Sequence, residues 1–173
     1  MRVAVFGLGS IGQRHVKNLL EMGGHEMLGY AVRVGSELWC GEGTIQATNA
    51  LAHVWAWQPE AVLICTAPAL HHDLAWEALS RNVPTFVEKP IAVDPAGVRA
   101  VRAASEKAKA KGINVVTGLC YRYENAKRET MKRIHGGDIG DILALQTSYN
   151  TGALWHKGRQ PEWSEMEYQI RNW

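Results

Sequence analysis

The sequence predicts an α/β fold: a doubly wound parallel sheet, followed by the opening of a smaller α+β unit. Three observations predict it. From residue 2 to residue 117, short apolar runs rich in β-branched residues alternate with stretches of helical period. Several of these runs, Ala61 to Thr66 above all, are apolar without a polar alternation, as strands covered on both faces require. The first run passes directly into three closely spaced glycines at the point where strand gives way to helix.

Arg2 to Phe6 is the first strand, and the helix after it shows apolar-face spacing at Ile11, His15, Val16, Leu19 and Leu20, ending near Gly23-Gly24. Between them stand Gly7, Gly9 and Gly12 in the spacing G-x-G-x-x-G. Gly7 permits the tight turn, Gly9 lets the backbone approach a diphosphate, and Gly12 lets helix pack on strand. The helix N-terminus adds unpaired N–H groups and a positive dipole end. Gly7, Gly9, Ser10, Ile11 and Gly12 are therefore candidate dinucleotide contacts, the alternative being a purely structural turn.

His25 to Val32 is expected as the second strand. Its tip reads Ala31-Val32-Arg33-Val34-Gly35-Ser36, without a carboxylate but with Arg33. An acid at this tip suits the ribose hydroxyl of NAD, whereas an arginine suits the 2′-phosphate of NADP. The tip thus favours NADP, with NAD as the alternative. Residues 37 to 47 read as loop, and Thr48 to Trp57 as a helix with Leu51, Val54 and Trp55 on one face, closed by Pro59. Ala61 to Thr66 is a strand stopped by Pro68. A helix from His71 or His72 to Ser80 buries Leu74, Ala75, Ala78 and Leu79. Pro84 to Val87 is the next strand and runs into Glu88-Lys89-Pro90.

Asp94-Pro95 pairs an N-cap residue with a proline at the first helical position, and this helix runs through Val98, Val101, Ala104 and Ala108 to Gly112. Asn114 to Thr117 is the last strand of the alternation. In such sheets ligands lie at the carboxyl ends of the strands, so Gly7, Arg33, Thr66, His71, Glu88 and Lys89 are expected around one crevice. Beyond Gly118 the pattern changes. Glu124 to His135 reads as an amphipathic helix using Met131 and Ile134, and Ile142 to Tyr149 as a strand, before a tail carrying Trp155, Trp163 and Trp173. The division expected is a dinucleotide-binding domain at 1–120 and the start of a substrate and oligomerisation domain at 121–173, broken off before completion. The tail tryptophans suit a core, a sugar-stacking surface or an apolar patch through which copies of the chain associate.

Composition bounds the function. The chain has 173 residues, 46% hydrophobic and 21% charged, with a net charge of +2, which suits a globular domain and argues against a nucleic-acid or membrane partner. Its three cysteines, Cys40, Cys65 and Cys120, form no C-x-x-C pair, so neither a metal site nor a disulfide framework is expected, and a reducing cytoplasm is. Because Met1-Arg2 leads straight into the strand that carries the glycine motif, no signal peptide is expected here.

Gly7-Leu8-Gly9-Ser10-Ile11-Gly12, Cys65-Thr66-Ala67-Pro68-Ala69-Leu70-His71 and Glu88-Lys89-Pro90 together resemble the glucose–fructose oxidoreductase, inositol dehydrogenase and rhizopine-catabolism (Gfo/Idh/MocA) family. Gly140-Asp141-Ile142 and the stretch from Leu154-Trp155 to Trp173 are similar to the start of that family's substrate domain. The resemblance implies a Rossmann domain and NAD(P)-dependent hydride transfer at a hydroxyl carbon of a sugar or cyclitol. It implies that Lys89 is catalytic, lying beside the nicotinamide and the reacting carbon, with a Lys–Pro bond that is often cis. Lys89 and Arg122 are the candidate substrate contacts. The family's proton-handling aspartate and histidine lie beyond residue 173, so two functions stand side by side: an NAD(P)-dependent oxidoreductase, or a non-catalytic nucleotide-binding or interaction module.

Overall fold

The computed structural model describes residues 1–32, 37–39, 44–152 and 155–172. The chain divides into two compact units, Met1–Arg128 and Glu129–Trp173.

The first unit is built on β1 (Arg2–Phe6), which sits at the middle of a seven-stranded sheet. On one side β1 pairs in parallel with β2 (Glu26–Tyr30), and on the other with β5 (Ala61–Ile64). The full order is β3-β4-β2-β1-β5-β6-β7, with β4 at Thr44–Thr48, β6 at Thr85–Val87 and β7 at Val115–Thr117. Six strands are parallel, and β3 (Glu37–Trp39) closes one edge antiparallel to β4.

Side chains alternate across the pleat, so an unbroken apolar strand feeds two cores. Ala4 and Phe6 enter one cluster with Leu28, Val54, Val62, Ile64 and Leu74, while Val3 and Val5 enter the other with Leu8, Val16, Ile45 and Ala47. The helices that cover these faces are α1 (Ser10–Met22), α2 (Leu51–Ala56), α3 (His71–Ser80) and α4 (Pro95–Ala110). The start of α4 is fixed as its sequence requires: the Asp94 carboxylate accepts the Gly97 N–H at 2.6 Å. Val101, Ala104 and Ala108 form its buried face.

Three expectations are corrected. Residues 37–47 are not loop throughout, because β3 and β4 occupy parts of them; two short strands carrying Gly41 and Gly43 between them gave no extended apolar signal. The helix expected from Thr48 starts at Leu51, since Thr48 ends β4 and its hydroxyl accepts the Ala50 N–H at 3.1 Å. In the second unit, Ile142 to Tyr149 is not a strand. Leu143 is 94% exposed and pairs with no neighbouring strand, and alternation alone does not hold a strand without a ladder.

The second unit contains the greater part of α5 (Asn125–His135), which was expected, and α6 (Glu165–Arg171), which was not. The Ser164 hydroxyl accepts the Glu167 N–H at 3.1 Å, so Ser164-Glu165-Met166-Glu167 carries the serine and glutamate of a capping box, a signal present in the sequence but masked by the surrounding tryptophans. Trp155 is 60% exposed, and Trp173 lies outside the described residues. Among the described residues no helix is long and apolar enough to cross a membrane.

Candidate functional site

Main-chain hydrogen bonds continue past the carboxyl ends of the parallel strands and draw their following residues into one row. The Gly7 N–H donates to the Tyr30 carbonyl at 2.8 Å, Cys65 to Phe6 at 2.7 Å, Glu88 to Ile64 at 2.8 Å, and Gly118 to Val87 at 2.8 Å. The glycine turn, the Cys65-Thr66 segment and the Glu88-Lys89-Pro90 segment are thereby brought to the same edge of the sheet.

Each glycine of the turn does a different job. Gly7 has φ +88°, and a Cβ there would stand 2.6 Å from the Cys65 carbonyl and the Thr66 nitrogen. A Cβ on Gly12 would overlap the Gly7 carbonyl oxygen. At Gly9 a Cβ would meet nothing within 4 Å, so this face of the turn is open. Gly9 is the N-cap of α1, with no side-chain cap and no acid in the first turn, and the Gln13 amide fixes the loop by donating to the Leu8 carbonyl at 2.9 Å. The first amides of α1 are thus left for an external anion.

Beside the turn lies a cavity of about 400 Å³ lined by Gly7, Tyr30, Leu51, Thr66, Leu70 and Leu74, with Asp73 and Glu77 also on its wall. Thr66 Oγ1 is buried there without a hydrogen-bond partner. An apolar cavity, an unpartnered hydroxyl and an open helix N-terminus in one place fit a dinucleotide.

Other expected residues fall differently. Arg33 lies outside the described residues. His71 was expected to face the crevice; instead it is 1% exposed, with Nδ1 2.7 Å from the Pro90 carbonyl oxygen and Nε2 2.9 Å from that of Thr66. Both ring nitrogens face main-chain carbonyl oxygens, to one of which a neutral imidazole donates, so the ring is turned to the protein and not to the crevice. Lys89 is exposed and precedes a cis peptide bond to Pro90. Arg122 is exposed in the 3-10 turn Cys120–Tyr123 that follows β7.

The Glu88 carboxylate is bonded to the protein on both oxygens. Its Oε1 lies 2.9 Å from Nε2 of His15 on α1, and its Oε2 accepts the Lys89 N–H at 3.1 Å. Sequence reasoning placed His15 only on the apolar helix face; its position three residues after Gly12 was the available signal. Burial, and then the Glu88 charge, push the Cys65 thiol up from an ordinary 9.0 to about 12, so it stays protonated beside this pair. Among the described residues no group of three or more His, Cys, Asp or Glu side chains could hold a metal ion.

Residues 1–116 match the oxidoreductase family with an NAD-binding Rossmann fold, GFO_IDH_MocA. The chain belongs to the Gfo/Idh/MocA oxidoreductase family. Its nucleotide-binding fold is thus that of an NAD-binding Rossmann domain. The chain is 31% identical over 148 residues to the scyllo-inositol 2-dehydrogenase (NAD(+)) of Bacillus subtilis, covering 81% of this chain and 42% of that protein. It is also 31% identical over 149 residues to the inositol 2-dehydrogenase of Renibacterium salmoninarum, covering 84% of this chain and 44% of that one. The chain therefore spans less than half the length of these relatives. Among solved structures, the myo-inositol dehydrogenase of Corynebacterium glutamicum superposes with a TM-score of 0.65 at 26% identity, covering 82% of this chain and 42% of that one. The fold is also that of the scyllo-inositol dehydrogenase from Lactobacillus casei with bound NAD(H) and scyllo-inositol, with a TM-score of 0.70 at 22% identity, covering 82% and 43% of the two chains.

Proposed function

We propose that this chain holds a nicotinamide dinucleotide and is the cofactor-binding part of an oxidoreductase acting on a hydroxyl carbon of a sugar or cyclitol. The observation that carries the reading is the placement of the open Gly9 turn and the Glu88-Lys89-Pro90 segment on one sheet edge. The amides of Gly9, Ser10, Ile11 and Gly12 would hold the diphosphate, with Gly7 shaping the turn. Thr66 and the adjoining cavity would take the adenosine side. When bound, the cofactor supplies the hydride acceptor or donor. Lys89, an ammonium with three donors, would hydrogen-bond the reacting oxygen, and Arg122 would contact other hydroxyls of the substrate. Residues 1–120 then form the cofactor domain and 121–173 open the substrate domain, with its exposed apolar side chains available for association between copies. The free thiols of Cys65 and Cys120 support a reducing, cytoplasmic setting.

The cofactor proposed is NADP, supported by Arg33 and by the lack of an acid from Ala31 to Ser36. The competing reading, NAD, is favoured by the Bacillus subtilis relative, whose name specifies it. Titration with NADPH and NADH, followed by cofactor fluorescence and melting temperature, decides between them. Tighter NADPH binding that is lost in Arg33→Asp supports NADP, and tighter NADH binding supports NAD. Binding of neither by the folded chain would overturn the cofactor reading. Turnover of NAD(P)⁺ with myo- or scyllo-inositol tests the oxidoreductase reading, and binding without turnover of any sugar or cyclitol would favour a nucleotide-binding module.

A further inference from the structure

We propose that His15 is a positioning residue that holds the Glu88-Lys89-Pro90 segment in register with the phosphate-binding end of α1. The Glu88 carboxylate only accepts, so His15 donates through Nε2, at 2.9 Å. The two side chains are 24% and 18% exposed, which places this charge-assisted hydrogen bond in partly desolvated surroundings where it is stronger than on an open surface. The imidazole is itself held edge-on against Phe86 of β6, with ring centroids 5.3 Å apart.

The carboxylate then passes the constraint on. Its second oxygen accepts the main-chain N–H of Lys89 at 3.1 Å. Gly118 packs so closely that a Cβ there would lie 2.9 Å from the same oxygen. Glu88 is thus held by an imidazole, by the following amide and by the backbone after β7, and it can swing toward none of them without breaking contact with another. The residue whose ammonium would meet the substrate is tied through Glu88 to a histidine one turn beyond Gly12. Helix α1 and Lys89 become one mechanical piece, so a dinucleotide seated on α1 has its two ends registered against fixed protein groups. Glu88 therefore acts inward rather than as a cofactor contact.

The nicotinamide part of this inference rests on the proposed cofactor site, and the test has one arm that does not. In the full 173-residue chain, ¹⁵N relaxation of the Lys89 amide is compared for wild type, His15→Ala and His15→Gln without ligand. The amide order parameter is expected to fall from the rigid range, about 0.85, toward about 0.6 in His15→Ala, and to recover in His15→Gln, which keeps a donor at a similar reach. In the second arm, NAD(P)H affinity is expected to drop about threefold to tenfold in His15→Ala while ADP-ribose affinity is unchanged, because only the nicotinamide end depends on Lys89. An unaltered Lys89 amide in His15→Ala overturns the proposal, as does an equal loss of NAD(P)H and ADP-ribose binding, which would make His15 a general support of α1. If wild type binds neither ligand, the cofactor reading falls and the relaxation arm alone decides the role of His15.

Discussion

The imidazole of His71 and the carbonyl of Pro90 meet at 2.7 Å inside the protein, joining the first turn of α3 to the segment that carries Lys89. The other ring nitrogen stands 2.9 Å from the carbonyl oxygen of Thr66, so one side chain spans the residues following β5 and β6. Removing it leaves two carbonyl oxygens facing a void. His71→Ala is expected to lower unfolding stability by about 2–4 kcal/mol, the combined cost of a cavity and of the carbonyl that loses its donor. Urea unfolding of the 173-residue chain checks this, and a loss below about 0.5 kcal/mol would contradict it.

Gly9 and Gly12 separate binding from folding. Gly9 has φ −73° and ψ −171°, a conformation open to alanine, and a Cβ there meets no protein atom. Gly9→Ala should melt close to wild type yet bind NAD(P)H at least about tenfold more weakly, because the methyl group fills the open face. Gly12→Ala should lose both, since its Cβ collides with the Gly7 carbonyl. Equal cofactor affinity in Gly9→Ala and wild type would count against a diphosphate at this turn.

Cys65 predicts an alkaline limit. An acid whose folded value is raised, here to about 12 from 9.0, binds its proton more firmly in the folded than in the unfolded chain. Its contribution is complete below pH 9.0 and is lost as pH rises from there to about 12. Cys65→Ala should therefore show a shallower fall of stability across that window. A thiol reagent at pH 8 should label the exposed Cys120 before the partly buried Cys65 in the native chain.

The cap of α4 gives a smaller, independent effect. Asp94→Ala removes the acceptor for the Gly97 N–H and should cost about 1 kcal/mol, measured by denaturant unfolding. Asp94→Asn, which keeps a capping oxygen, should recover most of it.

The parts of this molecule legible in its sequence are those governed by local rules. β1, α1, β5 and α4 follow from apolar period, glycine placement and capping residues, and the convergence of strand ends follows from parallel connectivity. What the sequence hides is set by partners distant along the chain. β3 and β4 exist because β2 offers β4 an edge, not because residues 37–47 look like strand. Ile142 to Tyr149 has the alternation of a strand but no ladder to join. His15 and Glu88 are 73 residues apart, and His71 and Pro90 are 19 apart, so neither pairing leaves a trace in local spacing.

The central place of β1 also bears on how the chain is made. Val3 lies between Met27 and Ala61, so during synthesis β1 keeps one flank unpaired until β5 has emerged. Through that interval Val3, Ala4, Val5 and Phe6 form a bare, apolar strand edge of the kind that other nascent chains and holding chaperones recognise. The middle of the finished sheet is thus the most vulnerable part of the unfinished one. A chain cut short before Ile64 is expected to aggregate rather than to form a smaller version of the same fold.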